Sequence, residues 1–524
     1  MDFLLHHMLR TSALRSPEKE ALVHGSTRLT YREVVGRTNA LAKGLRQAGL
    51  KRSERVGIYL DPSVSQVLSI FAVSQAGGVF VTINSALFPE QLAHIANDCQ
   101  MTTLITVQSK LASLAAVLPH IPSLRFLVIQ TDGESSSNAL PVHDFDALCN
   151  VPVSQDWCDV GIEKDLVGLL YTSGSTGKPK GVMLSHAQIM AGSSIVSTYL
   201  GITSEERILA VLPFSFDAGM NQLMTAFQQG ATLVLMTFTF AREIVQMLVK
   251  EQVTALAGVP TLWSLLAQPN SSLHKTKPSA LRYITNTGGA MPQTVLATLR
   301  QVLPTTQIVL MYGLTEAFRS TYLPPDELDR RPTSMGKAIP DTEILVVSEQ
   351  GHPCKPGEVG ELVHRGPTVS MGYWGQPELT TRVLRPHPYL PHELRDTERV
   401  CYSGDLVKTD EEGFLYFVGR RDTMIKSSGY RVSPTEVEEV LFQSGAVREA
   451  AVIGVPDDLL GQAIKAFVVL KEGQSVDQAA LPLFCAEKLP RYMVPKHVEA
   501  LDKMPKTSSG KVDYPALRRR EGLV

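Results

Sequence analysis

The sequence predicts an α/β protein: a large, multi-lobed N-terminal body of α/β sheets plus a β subdomain, followed by a small α+β lid domain. Three observations carry that expectation. Apolar strand-like runs alternate with helical stretches of about 10–15 residues, the signature of βαβ units on a parallel sheet. From about Pro340 the texture changes to short strands separated by glycine turns. After Gly419-Arg420-Arg421-Asp422 comes a separate pattern of about 100 residues, a size that can fold as its own unit. At roughly 150 residues per domain, a chain of 524 residues is too long for a single core.

In order, Leu29-Thr30-Tyr31 leads into a helix through Val34, Leu41, Ala42 and Leu45. Arg55–Leu60 reads as a buried strand, Val64–Gln75 as a helix and Gly77–Ile83 as the next strand. The pattern returns at Arg207 (RILAVLPF), at Ala231–Met236, at Val253–Gly258 and at Ile308–Tyr312. EILVV, GELVHRG and GFLYFVGRRD predict a twisted antiparallel subdomain over about 340–419. In the last unit, helix Pro434–Phe442, strands Val447–Val455 and Ala463–Leu470, a helix from about Asp477 and a loop at Lys506–Asp513 are expected. The domains so predicted are 1–419 and 420–524.

Composition excludes several classes. The 50 Lys+Arg against 52 Asp+Glu leave no electrostatic footprint for nucleic acid. The six cysteines are scattered without a C-x-x-C pair, which predicts reduced thiols rather than a disulfide framework. No apolar run approaches the roughly 18 residues a membrane span needs, and the N-terminus lacks the basic start of a signal peptide. A cytoplasmic protein is the expectation.

The strongest local signal is Tyr171–Gly181, YTSGSTGKPKG, after the apolar run Leu166–Leu170. Small residues let backbone N–H groups converge on an anion, hydroxyls add donors, and Lys178 and Lys180 add charge. It is not a Walker loop, because Thr172 and Pro179 stand where that motif requires Gly and Ser/Thr. The string resembles the signature of the adenylate-forming superfamily, which comprises acyl-CoA synthetases, peptide-synthetase adenylation domains and beetle luciferases. In order along the chain, Met311–Ala317 (MYGLTEA), Tyr402–Leu406 (YSGDL), Gly419–Val432, Leu489–Pro495 and Pro505–Lys511 resemble its later motifs. The likeness spans essentially the whole chain and is closest to the AMP-forming acyl-CoA ligases.

That resemblance implies activation of a carboxylic acid by ATP to acyl-AMP and pyrophosphate, then transfer to the thiol of CoA or of a carrier protein's phosphopantetheine. Positioning and charge neutralisation are the protein's task, since no protein nucleophile is needed. It assigns Thr172, Ser173, Gly174, Ser175, Thr176, Gly177 and Lys180 to the phosphates, and Glu316, beside Thr315, to Mg²⁺. Tyr312, followed by Gly313, should stack on adenine, with Gly288, Gly289 and Ala290 bordering the adenine and acyl sites. Asp405 fits the ribose hydroxyls, with Arg420 as companion. Lys511 is the implied lysine of adenylation, and Lys506 is the second candidate. Asp422 occupies the hinge position, and Ser427, Ser428, Gly429 and Tyr430 would line the thiol tunnel in a second domain pose.

The acid pocket departs from the family. Many of its ligases place a gating His where this chain, LPFSFDAG over 212–219, has Phe216. Asp217 instead matches the aspartate that binds an amino acid's ammonium group in peptide synthetases, and a charge beside an acyl pocket is costly unless paired. Asn221, Met311 and Arg319 complete the implied pocket. Asp217 therefore reads either as an ammonium ligand or as the structural partner of Arg319. The leading function is an AMP-forming acyl-CoA ligase, and the alternative is a stand-alone amino-acid adenylation enzyme loading a separate carrier. Intact Lys180, Glu316, Asp405, Arg420 and Lys511 speak against a catalytically silent nucleotide-binding paralogue.

Overall fold

The computed structural model describes residues 2–131, 140–153, 159–173, 179–395, 397–421, 423–427, 430–457, 460–472, 480–507 and 510–523. Among these, the strands form four sheets. A seven-stranded sheet holds Arg55–Ile58 and Val79–Thr82 at its centre as parallel neighbours. A nine-stranded sheet contains Arg207–Ala210, Thr232–Leu235, Ala255–Gly258, Tyr283–Asn286 and Gln307–Tyr312, all parallel. Helices pack on both, as burial on two faces demands of parallel strands. The helix Val64–Gln75, which the apolar pattern predicts to the residue, is buried along nearly its whole length.

Crossovers in the nine-stranded sheet run in opposite directions from Arg207–Ala210. The next strand, Thr232–Leu235, lies on one side, and Ala255–Gly258 and its successors lie on the other. Open α/β sheets bind ligands where the strand order reverses, outside the carboxyl ends of the strands. Because the strands are parallel, the segments leaving them emerge on one edge: Val211–Phe216, Val259–Pro260, Thr287–Ala290 and Gly313–Arg319. Eight of the candidate residues, Phe216, Gly288, Gly289, Ala290, Gly313, Thr315, Glu316 and Arg319, sit on these segments.

The antiparallel five-stranded sheet begins at Glu343–Val347, includes Gly360–Arg365 and Arg399–Thr409, and ends at Leu415–Arg420. The last sheet starts at Ile425–Ser427 and carries the long hairpin of Val447–Asp457 with Gly461–Leu470. Helix Pro434–Gln443 buries Val437, Val440 and Leu441 against it. The helix expected from about Asp477 is described over Ala480–Lys488. No helix among the described residues is long and apolar enough to cross a membrane.

Candidate active site

Thr172 and Lys180 stand opposite each other in a hairpin of Leu166–Ser173 with Pro179–Ser185, so their side chains leave the same face of the ribbon. The phosphate-loop segment thus joins two antiparallel strands rather than opening a helix, the physical difference from a Walker loop. Gly174, Ser175, Thr176 and Gly177 lie outside the described residues, as does the side chain of Ser173.

The strand Gln307–Tyr312 delivers Tyr312 to the sheet edge, and the chain folds back on itself there. Ser320 N–H donates to the Tyr312 carbonyl at 3.0 Å, closing a loop that holds Thr315, Glu316 and Arg319. The closure is tight: a Cβ on Gly313 would come within 2.4 Å of the Phe318 carbonyl oxygen. Phe318 itself adopts φ 63°, a left-handed conformation costly for a bulky residue, and this turns Arg319 inward. Strain of this kind persists where the surroundings over-determine it.

Three clusters meet at the edge. In the first, Tyr312 Oη donates to Asp405 Oδ2 at 2.5 Å, and Arg420 Nε lies 3.4 Å from Asp405 Oδ1. Burial, and then the Asp405 charge, push the Tyr312 hydroxyl far above its ordinary pKa, so it stays a donor. In the second, Tyr373 Oη donates to Glu316 Oε1 at 2.5 Å. Nothing in the sequence motifs pointed to Tyr373. In the third, Arg319 Nη1 donates to Asp217 Oδ2 at 2.8 Å, with Arg319 only 2% and Asp217 only 4% exposed. Of the two readings open for Asp217, the structure takes the paired one.

Lys511 arrives from the C-terminal unit. Its ammonium lies 5.2 Å from the centre of the Phe216 ring, and its Cε would be 3.0 Å from a Cβ on Gly288. Gly288 has φ +79°, so glycine there serves both the backbone and the approach of the lysine. Gly289 and Ala290 are exposed on the rim. The Lys511 side chain keeps some exposed surface, but the protein packed around its ammonium desolvates it. That environment lowers its pKa below the ordinary lysine value, while Asp217 acts in the opposite sense, followed by weaker effects of Arg319, Arg420 and Asp405. Lys506, the second candidate, is instead ion-paired to Glu449 at 2.8 Å. The loop is anchored beyond Lys511 by Tyr514, whose hydroxyl donates to the buried Glu438 at 2.7 Å.

Asn221, Met311 and Arg319 line one small cavity of about 30 Å³ behind this edge. Ser427 is buried in the C-terminal sheet, opposite Gly461, and does not join the cluster around Lys511. Asp422, Ser428, Gly429 and the side chain of Tyr430 lie outside the described residues. Elsewhere, His6, His7 and Asp159 cluster, but Arg10 donates to the same carboxylate at 2.6 Å, and a cation there opposes a metal ion.

A model of the AMP-binding enzyme family matches residues 9–374, and one of the AMP-binding enzyme C-terminal domain matches residues 436–511. The chain belongs to the AMP-binding enzyme family. This AMP-binding enzyme is 33% identical to feruloyl-CoA synthase from Amycolatopsis sp. over 517 residues, covering 97% of each chain. It is 30% identical to the long-chain-fatty-acid–CoA ligase of Bacillus subtilis (strain 168), covering 98% of this chain and 93% of that one. Its fold follows that of the anthranilate CoA ligase AuaEII in complex with anthranoyl-AMP, with TM-score 0.89 and 26% identity over 99% and 97% of the two chains. The enzyme is an AMP-forming acid–thiol ligase that uses ATP and CoA.

Proposed function

We propose that Lys511 is the cation that neutralises charge as the acid's carboxylate attacks the α-phosphate of ATP. The observation that carries this reading is its placement: the ammonium sits at the reversal point of the nine-stranded sheet, between Phe216 and Gly288. Two anions approaching each other need a preorganised cation there, and an ammonium already in place supplies it without reorganisation. Thr507 N–H donates to the Lys511 carbonyl at 2.7 Å.

Around it, Asp405 accepts from the ribose hydroxyls, oriented by Tyr312 and Arg420, and Tyr312 presents its ring beside the base. Thr172, Ser173, Gly174, Ser175, Thr176, Gly177 and Lys180 hold the β- and γ-phosphates. Glu316 suits Mg²⁺: it is a carboxylate with Oε1 oriented by Tyr373, and one carboxylate plus phosphate oxygens is a common magnesium donor set. The ion would offset phosphate charge when bound. Thr315, Gly288, Gly289 and Ala290 shape the nucleotide side of the cleft.

Residues 1–419 form the ATP- and acid-binding body, with the β subdomain at about 340–419, and 420–524 form a lid hinged at Asp422. Moving the lid withdraws Lys511 and brings the segment Ser427–Tyr430 to the acyl-AMP for attack by the CoA thiol. An amino-acid substrate is disfavoured, because its ammonium would meet an Asp217 already paired with Arg319. ATP–pyrophosphate exchange across fatty, aryl and amino acids, followed by addition of CoA, tests the reading. Acid-dependent exchange that Lys511→Ala abolishes supports it. Exchange undiminished in that variant would sink it.

A further inference from the structure

The cavity behind the sheet edge has mostly apolar walls, Val196, Ala257 and Met311 among them, but it is not a pure hydrocarbon slot. Six buried polar side chains also line it, Asn221, Gln222, Thr225, Thr285, Thr287 and Arg319, and four of them are incompletely paired. Asn221, Gln222, Thr285 and Arg319 are 6%, 5%, 2% and 2% exposed. Each holds an atom with no hydrogen-bond partner among the described residues: Asn221 Nδ2, Gln222 Oε1, Thr285 Oγ1 and Arg319 Nε. Buried polar groups are ordinarily paired, and an orphan costs about 1–3 kcal/mol. Four orphans around one cavity point to a ligand that completes them.

Their chemistry restricts that ligand. Asn221 Nδ2 and Arg319 Nε are donors, Gln222 Oε1 is an acceptor, and the Thr285 hydroxyl serves either way. The Arg319 charge is already balanced by Asp217 at 2.8 Å, so the pocket is neutral overall. A carboxylate or ammonium brought there would be an unpaired buried charge, whereas a neutral group that both donates and accepts would satisfy both sets. Size adds a limit. About 30 Å³ accommodates roughly two water-sized groups, too little for a long acyl chain. Thr287 and Met311, which line the cavity, directly precede Gly288 and Tyr312 in sequence, so the cavity adjoins the place where Lys511 is presented.

We propose that the acid is short and ends in a neutral hydrogen-bonding group, a hydroxyl or carboxamide, read by Asn221, Gln222, Thr285 and Arg319. This rests on the reading of the cleft as the acid-activation site. A hydrophobic pocket discriminates weakly against an added hydroxyl, but a site built to bond one rejects its deoxy analogue strongly. The test is ATP–pyrophosphate exchange by the full-length enzyme with two matched series. One series comprises benzoate, 4-hydroxybenzoate, 4-carbamoylbenzoate, terephthalate and 4-(aminomethyl)benzoate; the other comprises hexanoate, 6-hydroxyhexanoate and palmitate. The hydroxy or carbamoyl member should exceed its hydrocarbon parent by about 100-fold or more in kcat/KM, and the charged members should be poor. Asn221→Leu and the near-isosteric Thr285→Val should each shrink that ratio at least about tenfold, because the loss falls more heavily on the hydroxy or carbamoyl member than on its parent acid. A merely structural role would lower all acids together and leave the ratio unmoved, which would overturn the assignment. Preference for benzoate, hexanoate, palmitate or a charged member would overturn it while leaving acid activation standing. Absence of exchange with every acid would overturn both.

Discussion

Asp217→Asn removes one charge from the Asp217–Arg319 pair and leaves the other sealed in the protein. At 2.8 Å, with an effective dielectric of about 20, the two charges attract by about 6 kcal/mol. Their desolvation offsets part of that, and losing one partner of a buried pair typically costs about 3–5 kcal/mol. An amide can still accept from Arg319, so the expected loss lies near the low end, about 3 kcal/mol. Urea unfolding followed by intrinsic tryptophan fluorescence, to which the buried Trp263 contributes, reads it. The double replacement Asp217→Leu with Arg319→Met should recover most of the loss, because it removes the uncompensated charge. A second readout concerns Lys511, whose pKa burial lowers and Asp217 raises. Without that carboxylate the ammonium deprotonates at lower pH, so the alkaline limb of the exchange-rate profile moves toward acid. A stability loss under about 1 kcal/mol together with an unmoved alkaline limb would refute the closed ion pair and its field on the lysine.

Lys511→Ala should reduce ATP–pyrophosphate exchange at least about 10²–10³-fold while largely sparing thioester formation from preformed acyl-AMP, and equal loss of both half-reactions would contradict the two-pose scheme. Asp405→Ala should raise the KM for ATP more than it lowers kcat, because it removes contacts made equally in ground and transition states. Burial raises the pKa of Glu438 to about 7. The folded protein therefore holds a proton that the unfolded chain gives up near pH 4.5, and stability falls as pH rises from there through about 7. Glu438→Gln should flatten that dependence and stabilise the protein by up to about 3 kcal/mol above pH 7 in urea titrations. Tyr514→Phe, which frees the far end of the lysine loop, should lower exchange more than thioester formation.

Much of the fold was legible because it rests on short-range rules. Val64–Gln75 is apolar at nearly every position, and the structure buries it. The short apolar strands recur between helices, and they form parallel sheets. The change of texture at Pro340 reflects an antiparallel sheet whose strands have one wetter face. Strand ends were less legible: Arg55–Leu60 was expected where the strand ends at Ile58, although Tyr59 N–H still donates to the Ile105 carbonyl at 2.9 Å and Tyr59 and Leu60 are buried. At the site, Glu316, Asp405 and Lys511 stood out only through the strings around them. Tyr373, Gln222, Thr285 and Glu438 carried no such signal, since their importance lies in what they face.

The sequence by itself determined the alternation of elements, the neutral overall charge and the loops whose backbone chemistry suits a nucleotide, because each depends on residues adjacent along the chain. Only the tertiary structure decided that Lys511 rather than Lys506 reaches the sheet edge, and that Asp217 serves Arg319, 102 residues away. It alone showed that the small cavity behind that edge, mostly apolar, holds incompletely paired polar groups beside an Arg319 already balanced by Asp217. The physical reason is burial: excluding water makes pairing compulsory, and which groups pair is set by strands brought together from distant parts of the chain.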